Sequence, residues 1–317
     1  MKYYIGIDGG GTKTAFCAAN SEDASLRYSK DSGASWREHG IPAVTQMLRM
    51  AVDELMLEDK DKIAGIAMGL PCYGESARGD AELEKAVSEI FAPVPVYLTN
   101  DVEVGWAGSL ALEPGINIVA GTGSIGYGKD SQGKTARCGG WSDFFGDEGS
   151  CFWMGRKVME LFSKQADGRM KKDELYDIVY RELKLENDIS FIDLMHTEYL
   201  GYRKKVAVLQ FYAEKAALAG SVSAKALYNE ACRELLLLVD AIKDKLVFTE
   251  SPWKVSYSGG LFKAGELLMP QFMGEIEKLG GRVMAPRFEP VEGALLLAYQ
   301  HFYPQGLNQI IKAMEEK

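Results

Sequence analysis

The chain has 317 residues, a length that favours about two domains over one core. Its formal net charge is -9 and its Lys and Arg residues form no run, which argues against nucleic acid as the main partner. The sequence contains no apolar run of about 18 residues, and Met1 leads directly into an apolar strand pattern. We therefore expect a cytoplasmic protein without a membrane span.

The first strong pattern is I-G-I-D-G-G-G-T-K-T at 5–14, where a buried strand ends in an acid and enters a glycine loop. Residues without a Cβ let backbone N–H groups approach an anion closely, so the loop can hold a phosphate. Asp8 adds a hard oxygen suited to Mg²⁺ or to its bound water. A tight hairpin turn explains the loop equally well, and the loop alone leaves both interpretations open. The loop residues are Gly9, Gly10, Gly11, Thr12 and Lys13.

The rest of the first half alternates strands and helices. The segment 62–70 is a continuous apolar run stopped by Pro71, which is typical of a buried parallel strand. A later strand at 94–98 delivers Asp101 to its carboxyl end, just before a helix. The other predicted elements are strands at 14–19 and 25–30, a helix from Pro42, and helices at 81–91 and 102–111.

The pattern then restarts. A second buried strand at 115–120 runs into the glycine turn G-T-G-S at 121–124, and a third strand follows at 125–129. The other predicted elements are strands at 134–137, 253–258 and 282–285, and helices at 148–162, 172–183, 202–218, 223–246, 265–279 and 291–303.

The two halves share an architecture, because each opens with a strand, a glycine-rich turn and another strand. Two such halves facing each other would leave a cleft where both turns hold one polyphosphate. We predict an N-terminal domain of residues 1–112 with a C-terminal helix at about 300–317. The second domain is predicted to be 113–299, with a helical insertion at 148–247.

Six ordered elements carry a resemblance to a known family. The chain resembles the sugar kinase, Hsp70 and actin superfamily and, within it, the N-acetylglucosamine kinase and BadF/BadG/BcrA/BcrD ATPase family. The resemblance implies an α/β fold of two ribonuclease H-like (actin-like ATPase) domains. Its elements are I-G-I-D-G-G-G-T-K-T at 5–14, T-N-D-V-E-V-G-W-A-G at 99–108, I-V-A-G-T-G-S-I-G at 118–126, R-C-G-G-W-S-D-F-F-G-D-E-G-S at 137–150, S-G-G-L-F-K-A-G at 258–265 and E-G-A-L-L-L-A at 292–298.

The resemblance also implies roles for residues. Asp101 would be the catalytic base, although an Asp before a helix is also a common N-cap. The second phosphate loop would be Gly121, Thr122 and Gly123, the adenosine platform Gly259 and Gly260, and the magnesium ligand Asp8. Sugar contacts would come from Ser35, Trp36, Ser124, Gly139, Gly140, Trp141, Asp147 and Glu148.

Some of these sugar contacts have alternatives. Asp147 and Glu148 could instead cap the helix that follows them. The N-acetylglucosamine kinase pattern tends to place one Asn in the loop after the third strand and another directly after G-T-G-S. Here that loop reads G-A-S-W at 33–36, and Ile125 follows G-T-G-S. The departures leave open which amino sugar is used.

The resemblance predicts an enzyme that uses ATP and Mg²⁺ to phosphorylate a hydroxyl of an amino sugar. The first candidate is the 6-hydroxyl of N-acetylglucosamine. It also implies a homodimer. Glucosamine and N-acetylmuramic acid are alternative substrates. A BadF-type activase with an iron–sulfur cluster and a non-catalytic sugar sensor are alternative functions; the five scattered cysteines do not resemble the activase cluster motif.

Overall fold

The computed structural model describes residues 1–11 and 13–316, and the chain divides into two compact units. Unit 1 consists of Met1–Glu113 and the chain from Ala285 onward, and unit 2 consists of Pro114–Met284. The predicted phosphate ligand Thr12 lies outside the described residues. Within the described ranges, no helix combines the length and apolarity needed to cross a bilayer.

Unit 1 is built on a five-stranded mixed sheet of order β3-β2-β1-β4-β5. Its two central strands are parallel to each other and buried, which explains their continuous apolar sequences. The strands are β1 Tyr3–Gly9, β2 Lys13–Asn20, β3 Leu26–Ser32, β4 Ile63–Leu70 and β5 Val96–Asn100. The helices are α1 Trp36–His39, α2 Ile41–Met56, α3 Ala77–Phe91 and α4 Asp101–Leu110, with a 3-10 turn at Leu57–Lys62.

Unit 2 repeats this topology. Its sheet has the order β8-β7-β6-β9-β10, with β6 antiparallel to β7 and parallel to β9. The strands are β6 Gly115–Ala120, β7 Ser124–Lys129, β8 Thr135–Gly139, β9 Trp253–Ser258 and β10 Gly281–Met284. Two mixed sheets of the same strand order confirm the predicted fold class and the repeat in architecture.

The helices of unit 2 lie mostly between β8 and β9. They are α5 Cys151–Ala166, α6 Glu174–Glu182, α7 Ser190–Leu194, α8 Arg203–Val208, α9 Gln210–Ala219, α10 Val222–Lys243 and α11 Met269–Lys278. A π-helical segment, Met195–Tyr199, follows α7, and a 3-10 segment, Gly260–Leu267, precedes α11. The predicted helix 202–218 is therefore two helices, and the predicted helix 265–279 begins later because Gly265 has a φ of 51°.

The chain then returns to unit 1 through α12 Pro290–Phe302, a 3-10 turn at Pro304–Gly306 and α13 Leu307–Glu315. We predicted that residues 113–299 form the second domain, but the structure places α12 in unit 1. Two glycines explain why α12 packs there. A Cβ on Gly6 would lie 2.2 Å from the Leu295 nitrogen, and one on Gly293 would lie 2.1 Å from the Val104 carbonyl oxygen. Such close backbone contact fixes α12 against β1 and α4.

Candidate active site

The first glycine loop joins β1 to β2 and is fastened at both ends. The Gly10 N–H donates to the Lys13 carbonyl at 3.0 Å, and the Gly10 carbonyl accepts from the Ala34 N–H at 2.9 Å. A Cβ on Gly9 would lie 2.8 Å from Leu70 Cδ2, and one on Gly10 would lie 2.9 Å from the Lys13 carbonyl. Packing therefore accounts for these two glycines. Gly11 is exposed, and a Cβ there would meet open space. The backbone therefore forms the hairpin turn between the antiparallel strands β1 and β2, and phosphate binding by this loop stays a prediction.

Asp8 lies near the end of β1 within a group of like charges. The pKa of its carboxyl group is raised to about 7, first by burial and then by the nearby carboxylates of Asp101 and Glu289, against the opposing effect of Lys13. A divalent cation would relieve this repulsion, and carboxylate oxygen is the ligand that Mg²⁺ prefers. Among the described residues no group of three or more acids, histidines or cysteines could hold a metal alone. Asp8 therefore fits a Mg²⁺ ion that takes its other ligands from water and phosphate.

Asp101 is the first residue of α4, and its neighbour Asn100 caps that helix. The Asn100 side chain accepts from the Val102 N–H at 3.1 Å and donates to the Tyr73 carbonyl at 2.6 Å. The capping alternative for Asp101 is therefore wrong, because Asn100 performs that role. A Cβ on Gly69 would lie 3.0 Å from the Asp101 Cα, so the glycine lets β4 end directly beside this acid.

Two acids near Asp8 and Asp101 have structural roles that the sequence did not reveal. Buried Glu103 accepts from the Thr99 hydroxyl and, at 3.2 Å, from the Tyr97 hydroxyl, which holds the first turn of α4 against β5. Glu289 precedes α12, and its N–H donates to the Glu292 side chain at 3.0 Å. Glu289 reaches Asp8 only because the chain returns to unit 1, so no local motif marks it.

The second glycine loop, in unit 2, is fastened to the start of α5. The Gly121 N–H donates to the Gly123 carbonyl at 2.9 Å, and the Gly121 carbonyl accepts from the Cys151 N–H at 2.8 Å. Gly259 lies against this loop with a φ of 101°, and a Cβ there would lie 2.4 Å from the Ala120 carbonyl. The structure thus brings the two predicted nucleotide segments of unit 2 together. Thr122 is part of the same turn, and Gly260 begins the 3-10 segment after it.

Ser124 fastens the neighbouring loops. Its buried hydroxyl donates to the Glu148 carbonyl at 2.6 Å, and its carbonyl accepts from the Gly140 N–H at 2.9 Å. The hydroxyl therefore organises the loop, and its contact with a sugar stays a prediction. Gly139 and Gly140 both have positive φ, at 77° and 67°, and Trp141 after them is 75% exposed. This exposure leaves the Trp141 ring available to a ligand.

Asp147 is buried in a left-handed conformation, with φ at 55°, and its carboxylate accepts a hydrogen bond from Arg203 Nη2. Burial raises the pKa of Asp147, and the Arg203 charge opposes the shift. Glu148 is exposed. Neither acid caps α5, because the Ser150 hydroxyl accepts from the Trp153 N–H at 3.1 Å. The capping alternative for both is therefore wrong, and Arg203 is a site residue that no motif indicated.

Ser35 and Trp36 lie in unit 1. Ser35 is buried and precedes α1 without a side-chain capping bond. Trp36 packs against the core of unit 1, and a Cβ on Gly79 would lie 2.4 Å from its ring. Trp36 thus has a structural role, and sugar contact by these two residues stays a prediction.

Comparison with known proteins places this geometry in a family. The model of the BadF/BadG/BcrA/BcrD ATPase family matches residues 5–298. The chain is 28% identical over 279 residues to an N-acetylmuramic acid/N-acetylglucosamine kinase of Clostridium acetobutylicum, covering 86% of this chain and 89% of the relative. It is 25% identical over 310 residues to an N-acetyl-D-glucosamine kinase of Dictyostelium discoideum, covering 93% and 97%.

A solved structure described as a candidate N-acetylglucosamine kinase from Chromobacterium violaceum has the same fold. It superposes with a TM-score of 0.75 at 23% identity, covering 94% of this chain and 99% of that one. The family model spans nearly the whole chain and includes both glycine loops and both candidate acids, Asp101 and Asp147. The chain therefore belongs to the BadF/BadG/BcrA/BcrD ATPase family.

Proposed function

We propose that this protein is an ATP-dependent kinase that transfers the γ-phosphate to a hydroxyl group of an amino sugar, with N-acetylglucosamine as the first candidate and O6 as the acceptor. One observation carries the proposal. Asp8 lies near the carboxyl end of β1, Asp101 directly follows β5 of the same sheet, and the two are close enough for the Asp101 charge to raise the pKa of Asp8. Phosphoryl transfer needs one group at the metal and another at the attacking hydroxyl.

Asp101 acts in this proposal as the base that orients the sugar hydroxyl and accepts its proton. Its backbone is fixed by α4, whose first turn is held by Asn100 and Glu103. Asp8 would hold Mg²⁺, and the ion would neutralise charge on the phosphates. In unit 1, the exposed Gly11 would offer its backbone N–H to a phosphate oxygen. The glycine turn of unit 2 keeps its predicted role as a second phosphate loop.

Unit 2 supplies one of the proposed sugar contacts, Asp147. The Asp147 carboxylate accepts hydrogen bonds from sugar hydroxyls, and a charged acceptor strengthens such bonds. Arg203 holds that carboxylate in place. The names of the two curated relatives support an amino sugar over a plain hexose. The proposal includes a homodimer, as the family resemblance implies, and a cytoplasmic location.

The test is ADP release by purified protein with Mg·ATP and a panel of N-acetylglucosamine, glucosamine, N-acetylmuramic acid, N-acetylmannosamine and glucose. We expect strong dependence on an amino sugar. Asp101→Asn should lower kcat by about 10²- to 10⁴-fold, the usual contribution of a general base, while the Kd for ATP changes little. Asp61→Asn, at an exposed site in the same unit, is the matched control.

A near-wild-type rate in Asp101→Asn would remove Asp101 from the mechanism. ATP turnover without dependence on any sugar would instead favour an ATPase or activase function. Binding of a sugar without turnover would favour a sensor.

A further inference from the structure

Unit 2 contains a cavity of about 560 Å³ between α5, the π-helical segment and α8. Its wall is mainly apolar and includes Phe152, Met159, Met195, Tyr199, Leu200 and Val206. Two guanidinium groups, those of Arg156 and Arg203, also line it, with Asp143 as the one acid among the lining residues. The lining therefore combines an apolar surface with a net positive charge.

Arg203 connects this cavity to the candidate sugar site. Its Nη2 donates to the buried carboxylate of Asp147, and its Nε lies 3.3 Å from the Asp143 carboxylate. The guanidinium also lies 5.8 Å from the centre of the Phe152 ring. Among the described residues Arg203 Nη1 makes no hydrogen bond, and the side chain is 42% exposed. A ligand held on Asp147 would therefore have the Nη1 donor of Arg203 beside it.

Arg156 extends the positive charge into the cavity. It is exposed, and its Nη1 donates to the Asp143 backbone carbonyl at 3.2 Å. The Asp143 side chain is 36% exposed, its carboxylate lies 3.3 Å from Arg203 Nε, and it lines the cavity together with both arginines. A ligand carboxylate would therefore have to displace the Asp143 carboxylate or share the arginine N–H donors with it.

We propose that this cavity is a subsite for a carboxylate-bearing substituent of the amino sugar, with Arg156 and Arg203 as the specificity-determining cations. This inference rests on the proposed function, because it assumes that the sugar ring binds at Asp147. A short ether chain that carries a methyl group and a carboxylate matches the two features of the lining, its apolar wall and its guanidinium pair. The volume admits such a group together with water.

The chemistry selects this substituent over a neutral one. Guanidinium groups recognise carboxylates through paired N–H donors. A neutral acetyl group or hydroxyl would bring no negative charge to pair with Arg156 and Arg203. The cavity therefore suits an acidic ether substituent on the amino sugar, and N-acetylmuramic acid is the available probe for it.

The test compares kcat/KM for N-acetylmuramic acid with that for N-acetylglucosamine in the full-length protein. The ratio of the two should fall by about tenfold in Arg156→Gln and by at least as much in Arg203→Gln, since each loses a charge-assisted hydrogen bond. Asp143→Asn should change the ratio in the opposite direction, because it removes the competing carboxylate. Arg181→Gln, an exposed site on α6, is the control for loss of a positive charge.

Arg203→Gln could disturb Asp147 and impair turnover of both substrates. The test then depends on Arg156→Gln and Asp143→Asn, in which the ratio should change in opposite directions. An unchanged ratio in Arg156→Gln and Asp143→Asn would overturn the inference while leaving the kinase function intact. If the wild-type protein turns over no sugar, the proposed function has failed. Calorimetry of N-acetylmuramic acid binding to the same variants then tests the cavity by itself, and equal Kd values across them would reject it.

Discussion

The Asp8 carboxyl group couples the stability of unit 1 to pH. Its pKa is raised to about 7 by burial and by Asp101 and Glu289, so the folded state holds the proton more tightly than the unfolded state does. The resulting stabilisation is complete below the ordinary Asp pKa near 4. It is lost as the pH rises through about 7, where Asp8 ionises among the other carboxylates.

We therefore expect the Tm of metal-free protein in chelator to fall between pH 5 and pH 8, and Asp8→Asn to reduce that fall by a few degrees. Mg²⁺ with ADP should raise the Tm of the wild type more at pH 8 than at pH 5.5, since it requires the ionised carboxylate. Thermal melts across this range measure both effects. Identical pH profiles for Asp8→Asn and wild type would show that Asp8 does not titrate in this window.

Single residues were predictable where a motif spans them. Motifs of the family resemblance singled out Asp101 and Asp147, whose catalytic and sugar-binding roles stay predictions. Their capping alternatives are excluded by Asn100 and Ser150, which lie one and three residues away. Arg203 was not predictable, because it approaches Asp147 from α8, 56 residues further along the chain. A lone Arg in a helical segment gives no signal of such an approach.

At the scale of elements, glycines decide how α12 packs. Gly293 lies on the face of α12 that meets α4, and an added Cβ would lie 2.1 Å from the Val104 carbonyl and 2.3 Å from the Gly108 nitrogen. Gly293→Ala should destabilise unit 1 by about 3 kcal/mol, the upper end for overpacking, because backbone must move.

Gly274→Ala provides the matched control for Gly293→Ala. It is also a helical glycine, in α11, but an added Cβ there meets nothing within 4 Å. Its higher helix propensity should stabilise the protein by about 1 kcal/mol. Denaturant unfolding of both variants measures the contrast, and equal effects would mean that the contact between α12 and α4 is not close.

Gly259 presents a similar case at the second glycine loop. It combines a φ of 101° with a Cβ position 2.4 Å from the Ala120 carbonyl. Gly168 has a φ of 83° but open space around it. Gly168→Ala should therefore cost about 1 kcal/mol from the backbone conformation alone. Gly259→Ala should cost more and should also raise the KM for ATP, which steady-state kinetics would detect. A smaller loss of stability in Gly259→Ala than in Gly168→Ala would contradict this contact.

Most elements were predictable because their apolar periodicity is local. Strand β6 and strand β9 have the predicted bounds, and α2 begins at Ile41, one residue before the predicted start at Pro42. The π-helical segment Met195–Tyr199 was missed, since its sequence carries no period of its own. The predicted helix at 202–218 was too long because its apolar spacing continues through Leu209, where the two helices join.

At the scale of the whole molecule, the two units differ in how the chain builds them. Unit 2 is one continuous segment, whereas unit 1 needs both ends of the chain. Residues 114–284 alone should therefore fold and melt cooperatively. Residues 1–113 alone should not, because the faces of β1 and α4 that α12 covers would be exposed.

A chain in which 1–113 is joined to 285–317 by a short Gly/Ser linker should restore folding. The junction is short because Arg287 pairs with Glu113 at 2.9 Å. Circular dichroism and thermal melts of the three fragments measure this. A cooperative melt of 1–113 by itself would contradict the role given to α12.

The domain boundary was the part of the architecture that sequence periodicity predicted least well. The helix at 291–303 has the same apolar pattern whichever sheet it covers, so its pattern does not assign it to a unit. The information lies in Gly6, whose contact with Leu295 spans almost the entire chain. A pattern of neighbouring residues cannot predict a contact between such distant parts of the chain.

The cap of α4 has a consequence for repeated catalytic cycles. Asn100 does not titrate, so the hydrogen bond that begins α4 keeps its strength at any pH at which the protein is folded. In the proposed mechanism, Asp101 gains and loses a proton in every turnover. Had Asp101 been the cap, each protonation would have weakened the helix that positions it. Because Asn100 caps α4 and Asp101 carries the proton, the stability of the helix does not depend on the protonation state of Asp101.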